Sequence, residues 1–94
     1  MDLNAFPGGD LVEKGLRDLS EGRESIESLL VSIGAPRLQQ LGFSVSIRST
    51  NSEHELYEKL SKEDSDSAHS KYNALIRRLV SFERAYACAA FRVG

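Results

Sequence analysis

The sequence of 94 residues contains a single cysteine, Cys88, and no tryptophan. One cysteine excludes an internal disulfide and any metal site made only of cysteines, and it fits a reducing compartment such as the cytoplasm. The N-terminus lacks the basic and apolar regions of a secretory signal, and no apolar run approaches the roughly 20 residues that span a bilayer. The sequence therefore predicts a cytoplasmic protein that does not enter a membrane.

The chain also lacks an excess of positive charge. It carries 12 basic and 14 acidic residues, for a formal net charge of -2, so it has no overall positive field to attract nucleic acid or anionic lipid. Hydrophobic residues make up 40% and charged residues 28%, which is the composition of a folded globular protein. The length predicts one domain over residues 1–94, small enough that a dimer interface would add useful burial.

Residues with catalytic chemistry are few and poorly placed. His54 and Glu58 are four apart, as on one helix face, but the second histidine of a His-Glu-x-x-His zinc motif is missing. His69 would be out of register with His54 in a hairpin, and neither histidine can be placed beside Cys88 to activate its thiol. We therefore expect no metal, no cofactor and a non-catalytic protein. An enzyme site assembled across a dimer from His54, His69 and acidic neighbours is a third possibility.

The first residues of the chain contain little that favours regular structure. A proline and two glycines occupy positions 7–9, and both residue types disfavour helices and strands. We expect residues 1–9 to form a loose arm unless the apolar side chains of Leu3 and Phe6 dock on the core.

Three short helices are predicted in the first half of the chain. Asp10 is an N-cap candidate, with Glu13 completing a capping box, and Gly22 is placed to end that helix in a left-handed conformation. Apolar residues then repeat every three or four positions up to Gly34, and Pro36 suits the first turn of the next helix. The predicted ranges are 10–21, 24–33 and 36–41.

Residues 43–48 change the period of the pattern. Phe43, Val45 and Ile47 alternate with polar residues, as in a half-buried strand. No second segment repeats this alternation, so a strand here would have no partner in the same chain. Two interpretations stay open: an extended segment that covers the core, which we favour, or a strand that pairs with its copy in a second subunit.

A helical hairpin is predicted for the second half of the chain. Ser52 and Glu55 form a Ser-x-x-Glu capping box that starts a helix. The polar stretch at 62–67 then interrupts the apolar pattern and supplies new N-caps. A turn between two helices is the favoured interpretation, and one continuous helix is the alternative. The residues of the first helix expected to face inward are Leu56, Tyr57 and Leu60.

The clearest element is a long helix at about 66–92, whose apolar residues follow one another at alternating spacings of three and four, as in a heptad seam. At about 1.5 Å per residue it would be close to 40 Å long, whereas a compact domain of this size is about 32 Å across. A second subunit would cover the excess, so we expect a homodimer or another protein partner on this helix. The residues predicted for that interface are Tyr72, Leu79, Phe82, Tyr86, Ala89, Phe91 and Val93.

Basic residues on the same helix support an alternative function. Arg77 and Arg84 are seven residues apart and share the face opposite the apolar seam, while Lys71 and Arg78 flank the seam. Exposed basic rows of this kind bind the phosphates of nucleic acids. The net acidity of the chain and the acidic helix at its side argue against that function.

Together these patterns predict an all-α fold: a small helical bundle with short N-terminal helices, a central extended segment and a C-terminal helical hairpin ending in one long heptad-patterned helix. The function they favour is a non-catalytic protein-interaction or oligomerisation module. The alternative is a small regulatory nucleic-acid-binding protein that uses Lys71, Arg77, Arg78 and Arg84.

Overall fold

The computed structural model of the protein describes residues 3–45 and 51–90. Within these two ranges the chain forms five α-helices and one 3₁₀ turn, with no strand, which confirms the predicted all-α fold. None of these helices combines the length and the apolar character needed to cross a membrane. The helices are α1 (Gly9–Ser20), α2 (Ile26–Ile33), α3 (Ala35–Gln40), α4 (Ser52–Glu63) and α5 (Ala68–Ala90), and the 3₁₀ turn is Leu3–Ala5.

The N-cap of the first helix lies two residues before the predicted one. Gly8 is the N-cap, with a left-handed φ of 74°, and its carbonyl already accepts a hydrogen bond from the amide of Val12 at 3.2 Å. Asp10 therefore lies inside the first turn, and the prediction that it caps the helix is wrong. The predicted end is confirmed, because Gly22 is left-handed with a φ of 77° just after the C-cap Glu21.

The next two helices are separated by a single residue, Gly34. The α2 helix begins after Ser25, whose hydroxyl accepts from the Ser28 amide at 3.0 Å while the Ser28 hydroxyl accepts from the Ser25 amide at 2.7 Å. This reciprocal box fixes the start of α2 two residues later than predicted. Pro36 lies in the first turn of α3, where the absence of its N–H costs no helical hydrogen bond.

The segment after α3 packs on the core without forming a strand in the residues described. Phe43 is half-buried and Val45 is buried, while Ser44 between them is exposed, as the alternating pattern predicts. The side-chain amide of Gln39 donates to the Val45 carbonyl at 3.2 Å. Residues 46–50 lie outside the described ranges, so the choice for 43–48 between an extended segment, which we favour, and a strand paired with a second subunit stays open.

The second half of the chain is a hairpin rather than one continuous helix. The N-cap of α4 is Asn51, one residue before the predicted Ser52. The chain turns between α4 and α5 at Asp64, whose carboxylate accepts a hydrogen bond from the Ser67 hydroxyl at 2.6 Å. The rings of Tyr57 on α4 and Tyr72 on α5 then meet with their centroids 5.9 Å apart, which sets the register of the two helices.

The start of the chain packs against the core from Leu3 onward. Leu3 and Phe6 both contact the core cluster, and the Phe6 ring meets the Phe82 ring edge-on at a centroid distance of 6.0 Å. A Cβ atom at Gly8 would lie 2.5 Å from the carbonyl oxygen of Arg78, so a glycine allows α1 to start this close to α5. Leu3 and Phe6 therefore dock on the core, which is the condition under which residues 1–9 are not expected to form a loose arm.

The helices form an elongated body with a single hydrophobic core. The radius of gyration is 13.3 Å, against about 12 Å for a compact chain of this length. The backbone extends 46 × 26 × 19 Å, and its shortest dimension holds only about two layers of helices packed 8–10 Å apart. Each long helix therefore has one side toward solvent. The largest fully buried side chains are Phe82, Leu30, Leu38, Leu56, Val12 and Val31.

Candidate protein-interaction surface

The structure divides the predicted interface residues between the core and the surface. Leu79 is 4% exposed and Phe82 is fully buried, because the heptad seam of α5 packs against helices of the same chain. These two side chains leave almost no surface for a partner in the single chain, and their part in an interface stays a prediction. Ala89 is exposed, whereas Phe91 and Val93 lie outside the described residues.

The two tyrosines of the predicted interface occupy intermediate positions. Tyr86 is half-buried and packs in an aromatic group with Phe43 at 4.7 Å and Phe6 at 5.5 Å between ring centroids. Its ring therefore closes the end of the core. Tyr72 is also half-buried, but its ring contacts the ring of Tyr57 on α4, which is more exposed than Tyr72.

An apolar strip remains open on the outer side of the hairpin. Tyr57 is 40% exposed and Val80 is 36% exposed, and they are the exposed large hydrophobic residues of the part of the chain that the structure describes. Tyr72 and Ile76 lie between them, half-buried, and the spacing of four from Tyr72 through Ile76 to Val80 keeps them on one side of α5. We call these four residues the hairpin strip.

The sequence contained part of the signal for this strip. Ile76 and Val80 widen the apolar seam of the long helix, but periodicity alone gives no reason to place them outside the core. Tyr57 was predicted to face inward with Leu56 and Leu60. Those two leucines are buried, and Tyr57 is turned toward the edge of the hairpin because Leu56 already occupies the inward position of that turn.

The strip carries no charge of its own at neutral pH. Burial raises the pKa of the Tyr72 phenol above its ordinary value of 10.0, and the nearby Glu53 carboxylate raises this pKa further. The phenol therefore stays protonated. At the other end, Arg77 and Arg84 lie three residues before and four residues after Val80, on the same side of α5, and both are exposed.

The predicted basic row is divided by contacts within the chain. The guanidinium of Arg78 donates to the Asp10 carboxylate at 2.9 Å, which neutralises that position. Lys71 lies near the turn of the hairpin, where the pKa of Asp64 is lowered mainly by the hydrogen bond from Ser67 and, less strongly, by the charge of Lys71. All four side chains of the row are exposed, and within the described ranges Arg78 is the one held in an ion pair.

The two histidines each contact a side chain four residues further along their own helix. His54 Nε2 lies 2.9 Å from Glu58 Oε1, with both side chains exposed, and His69 contacts the side-chain amide of Asn73 at 3.2 Å. Within residues 3–45 and 51–90, no group of three His, Cys, Asp or Glu side chains could hold a metal ion. Cys88 is exposed and unpaired.

A cleft of about 300 Å³ opens between α1, α2 and α4 near Leu19 and Glu55. The hydroxyls that line it already serve the backbone, because Ser28 donates to the Ser25 carbonyl and Ser32 donates to the Ser28 carbonyl, each at 3.0 Å. These serines have no histidine beside them in the cleft lining. The described lining of the cleft therefore contains no serine–histidine pair of the kind that activates a nucleophile.

Comparison with family models, curated proteins and solved structures finds no match to this chain. The surface features that bear on partner binding include the hairpin strip and its flanking charges.

Proposed function

We propose that this protein is a non-catalytic protein-interaction module that forms a homodimer through the hairpin strip. The observation that carries the proposal is the continuous apolar line from Tyr57 to Val80 on the solvent side of a two-layer molecule. Pairing two strips would remove the most exposed apolar side chains of the hairpin from water, and burial of apolar area is the main favourable term in association.

The charges beside the strip favour a second copy of the chain as the partner. Glu53 lies at the Tyr72 end of the strip, and Arg77 and Arg84 lie at the Val80 end. A twofold axis across the strip would bring the acidic end of one subunit against the basic end of the other, twice per dimer. Because such exposed pairs each contribute only about 0–1 kcal/mol, they would set the orientation while the apolar contact supplies affinity.

Light scattering on the purified protein at several concentrations tests the proposal. We expect a mass of twice 10.4 kDa, about 21 kDa, that falls toward the monomer on dilution. Val80→Asp should give a folded monomer, because Val80 is already 36% exposed in the single chain. Ser70→Asp is the matched control, since Ser70 is exposed and lies on the side of α5 opposite Tyr72, and it should remain dimeric.

Charge reversal tests the orientation. Arg84→Glu should weaken the dimer, Glu53→Arg should weaken it in the same way, and the double variant should recover the wild-type dissociation constant. A wild-type mass of 10.4 kDa at every concentration, or a dimer that survives Val80→Asp, would contradict the proposal.

The nucleic-acid alternative would show itself in the same measurement. Co-purifying nucleic acid that is lost at high salt, seen in the ultraviolet absorbance ratio, would move the function to Arg77 and Arg84. The single unpaired cysteine, Cys88, supports a reducing compartment such as the cytoplasm as the place of action.

A further inference from the structure

A second apolar surface lies on the side of the hairpin opposite the Tyr57 and Tyr72 rings. It is a groove of about 380 Å³ between the first turn of α2, the last turn of α4 and the first half of α5. The apolar part of its lining is formed by Ile26, Leu60, Ala74 and Leu75. Leu60 is 2% exposed and belongs to the core, while Ala74 is exposed, so the groove deepens from an open edge on α5 to the core.

The charged residues of the groove are separated by sign. Glu27 of α2 and Glu63 of α4 provide acidic groups, and Lys71 and Arg78 of α5 provide basic ones. Arg78 is bound to Asp10, and Glu27 lies 3.7 Å from the Lys14 ammonium.

Glu63 and Lys71 form no ion pair with another residue of the described part of the chain. They are therefore available to a partner, one on each side of the groove.

We propose that this groove binds an amphipathic helix of a partner protein. The partner helix carries an acidic residue on one edge of its apolar face and a basic residue on the other edge. An inserted helix would place apolar side chains at i and i+4 over Ala74 and Leu75, an acid near Lys71 and a base near Glu63. The residues described contain no strand to which a peptide could be added, so the helix-in-groove mode is the one this surface suits.

The size of the groove limits the occupant. Lys71 and Arg78 are seven residues apart, which is about 10 Å along α5, or two helical turns. A volume of about 380 Å³ lies at the small end of the range of roughly 300–1,000 Å³ for ligand pockets. The groove therefore accepts the apolar side chains of about two turns rather than a whole helix.

The inference deepens the proposed interaction function but uses a surface separate from the hairpin strip. Dimerisation through the hairpin strip and peptide binding in the groove can fail independently. Val80→Asp should abolish the dimer and leave peptide binding intact, whereas a change in the groove should do the reverse.

A defined peptide library provides the test. The probes are displayed helical peptides of about 14 residues, roughly four turns, with apolar residues at i and i+4 and with Lys, Glu or Ser varied at the edge positions. We expect the wild-type protein to enrich peptides that have one acidic and one basic edge over peptides with two edges of the same sign. Because a helix can lie in a groove in either direction, the two mixed arrangements are scored together.

Protein variants decide whether the groove is responsible. Ala74→Arg should weaken the enriched peptides by at least about tenfold in fluorescence anisotropy, because its side chain fills the groove from an exposed position. Asn73→Arg is the matched control on the neighbouring exposed position outside the lining and should bind as the wild type does. Lys71→Glu should shift the selection to peptides with two basic edges, and Glu63→Lys to peptides with two acidic edges.

Two results would overturn the inference: no enrichment of any apolar i, i+4 peptide on folded protein, or binding that survives Ala74→Arg. A dimeric mass combined with either result would leave the proposed function standing without the groove. A monomeric mass with groove-dependent peptide binding would contradict the proposed dimer and leave the groove standing.

Discussion

Asp10 and Arg78 are 68 residues apart in the sequence, and the Arg78 Nη2 atom donates to the Asp10 Oδ1 atom at 2.9 Å. The contact joins the first turn of α1 to the middle of α5. The backbone carbonyl of Arg78 also lies close to Gly8. The side chain and the backbone of Arg78 therefore both contact the start of α1.

We expect this ion pair to orient α1 rather than to stabilise the fold strongly. Its side chains are 64% and 49% exposed, and exposed pairs contribute about 0–1 kcal/mol. A double-mutant cycle with Asp10→Asn and Arg78→Gln, measured by urea unfolding, should give a coupling energy in that range that shrinks at high salt. A coupling above about 2 kcal/mol, or one insensitive to salt, would mean that the pair is buried from solvent.

Gly15→Ala should destabilise the protein even though alanine favours helices. A Cβ atom at position 15 would lie 2.4 Å from the Glu27 carbonyl oxygen and 2.3 Å from the Val31 Cγ2 atom, so α1 and α2 would have to separate. Overpacking of this kind costs about 1–3 kcal/mol, against a gain in helix propensity of about 1 kcal/mol. We expect a net loss in the free energy of unfolding, measured in urea.

The background of Val31→Ala provides a check on that mechanism. Removing the Val31 methyl groups relieves one of the two contacts, so Gly15→Ala should cost less in the Val31→Ala protein than in the wild type. Equal costs in both backgrounds would show that the contact with Val31 does not limit how closely the two helices pack.

The sequence was sufficient to locate the helices, because their apolar residues repeat every three or four positions and glycines end them. Gly22 shows this for an end, since the left-handed conformation it adopts was predicted from its place after the last apolar residue. The start of α1 could not be located in the same way. Gly8 caps it because it can lie against the Arg78 carbonyl, and that contact depends on the tertiary fold.

The candidate surface was less accessible to prediction than the helices. The spacing of the apolar residues in α5 places Ile76 and Val80 next to the heptad seam. It does not show how many neighbouring helices cover each side of α5. Phe82 faces the core because Phe6 and Phe43, both distant in sequence, dock on it. The same neighbours leave Val80 open, and a pattern along one helix carries no information about them.

Asp18 should make the stability of the protein sensitive to acid. Its Oδ2 atom accepts hydrogen bonds from the Lys14 ammonium at 2.8 Å and the Ser25 hydroxyl at 2.7 Å. The hydrogen bond from Lys14, followed by that from Ser25, lowers the pKa of this carboxyl below its ordinary value of 3.8. The stabilisation is thus complete above pH 3.8 and is lost as the pH falls through the lower, folded-state value.

Asp18→Asn should remove this component of the acid transition. The variant should be less stable than the wild type at neutral pH, and the difference should narrow as the pH falls below 3.8, measured by urea unfolding over a pH series. Glu24→Gln is the control, because Glu24 is an exposed carboxylate in the same connection between α1 and α2. A constant difference at every pH would assign the loss to packing rather than to charge.

Glu83 should have the opposite pH dependence. Its Oε2 atom is buried without a hydrogen-bond partner and would lie 3.1 Å from a Cβ atom placed on Gly34. Burial raises the pKa of this carboxyl above 4.5, and the charge of Arg37 offsets only part of that increase. The folded state therefore holds the proton more tightly than the unfolded state does, and stability declines as the pH rises from 4.5 through the raised value.

Glu83→Gln isolates the charge, because the amide keeps the size of the side chain and leaves a polar atom at the same buried place. We expect the variant to be more stable than the wild type at pH 7 and to lose that advantage near pH 4, where Glu83 is protonated in both states. Glu63→Gln, a change at an exposed glutamate of α4, should show no such crossover. If Glu83→Gln were less stable than the wild type at pH 7, the carboxylate would have to gain a compensating contact in solution, and Arg37 is the cation close enough to supply it.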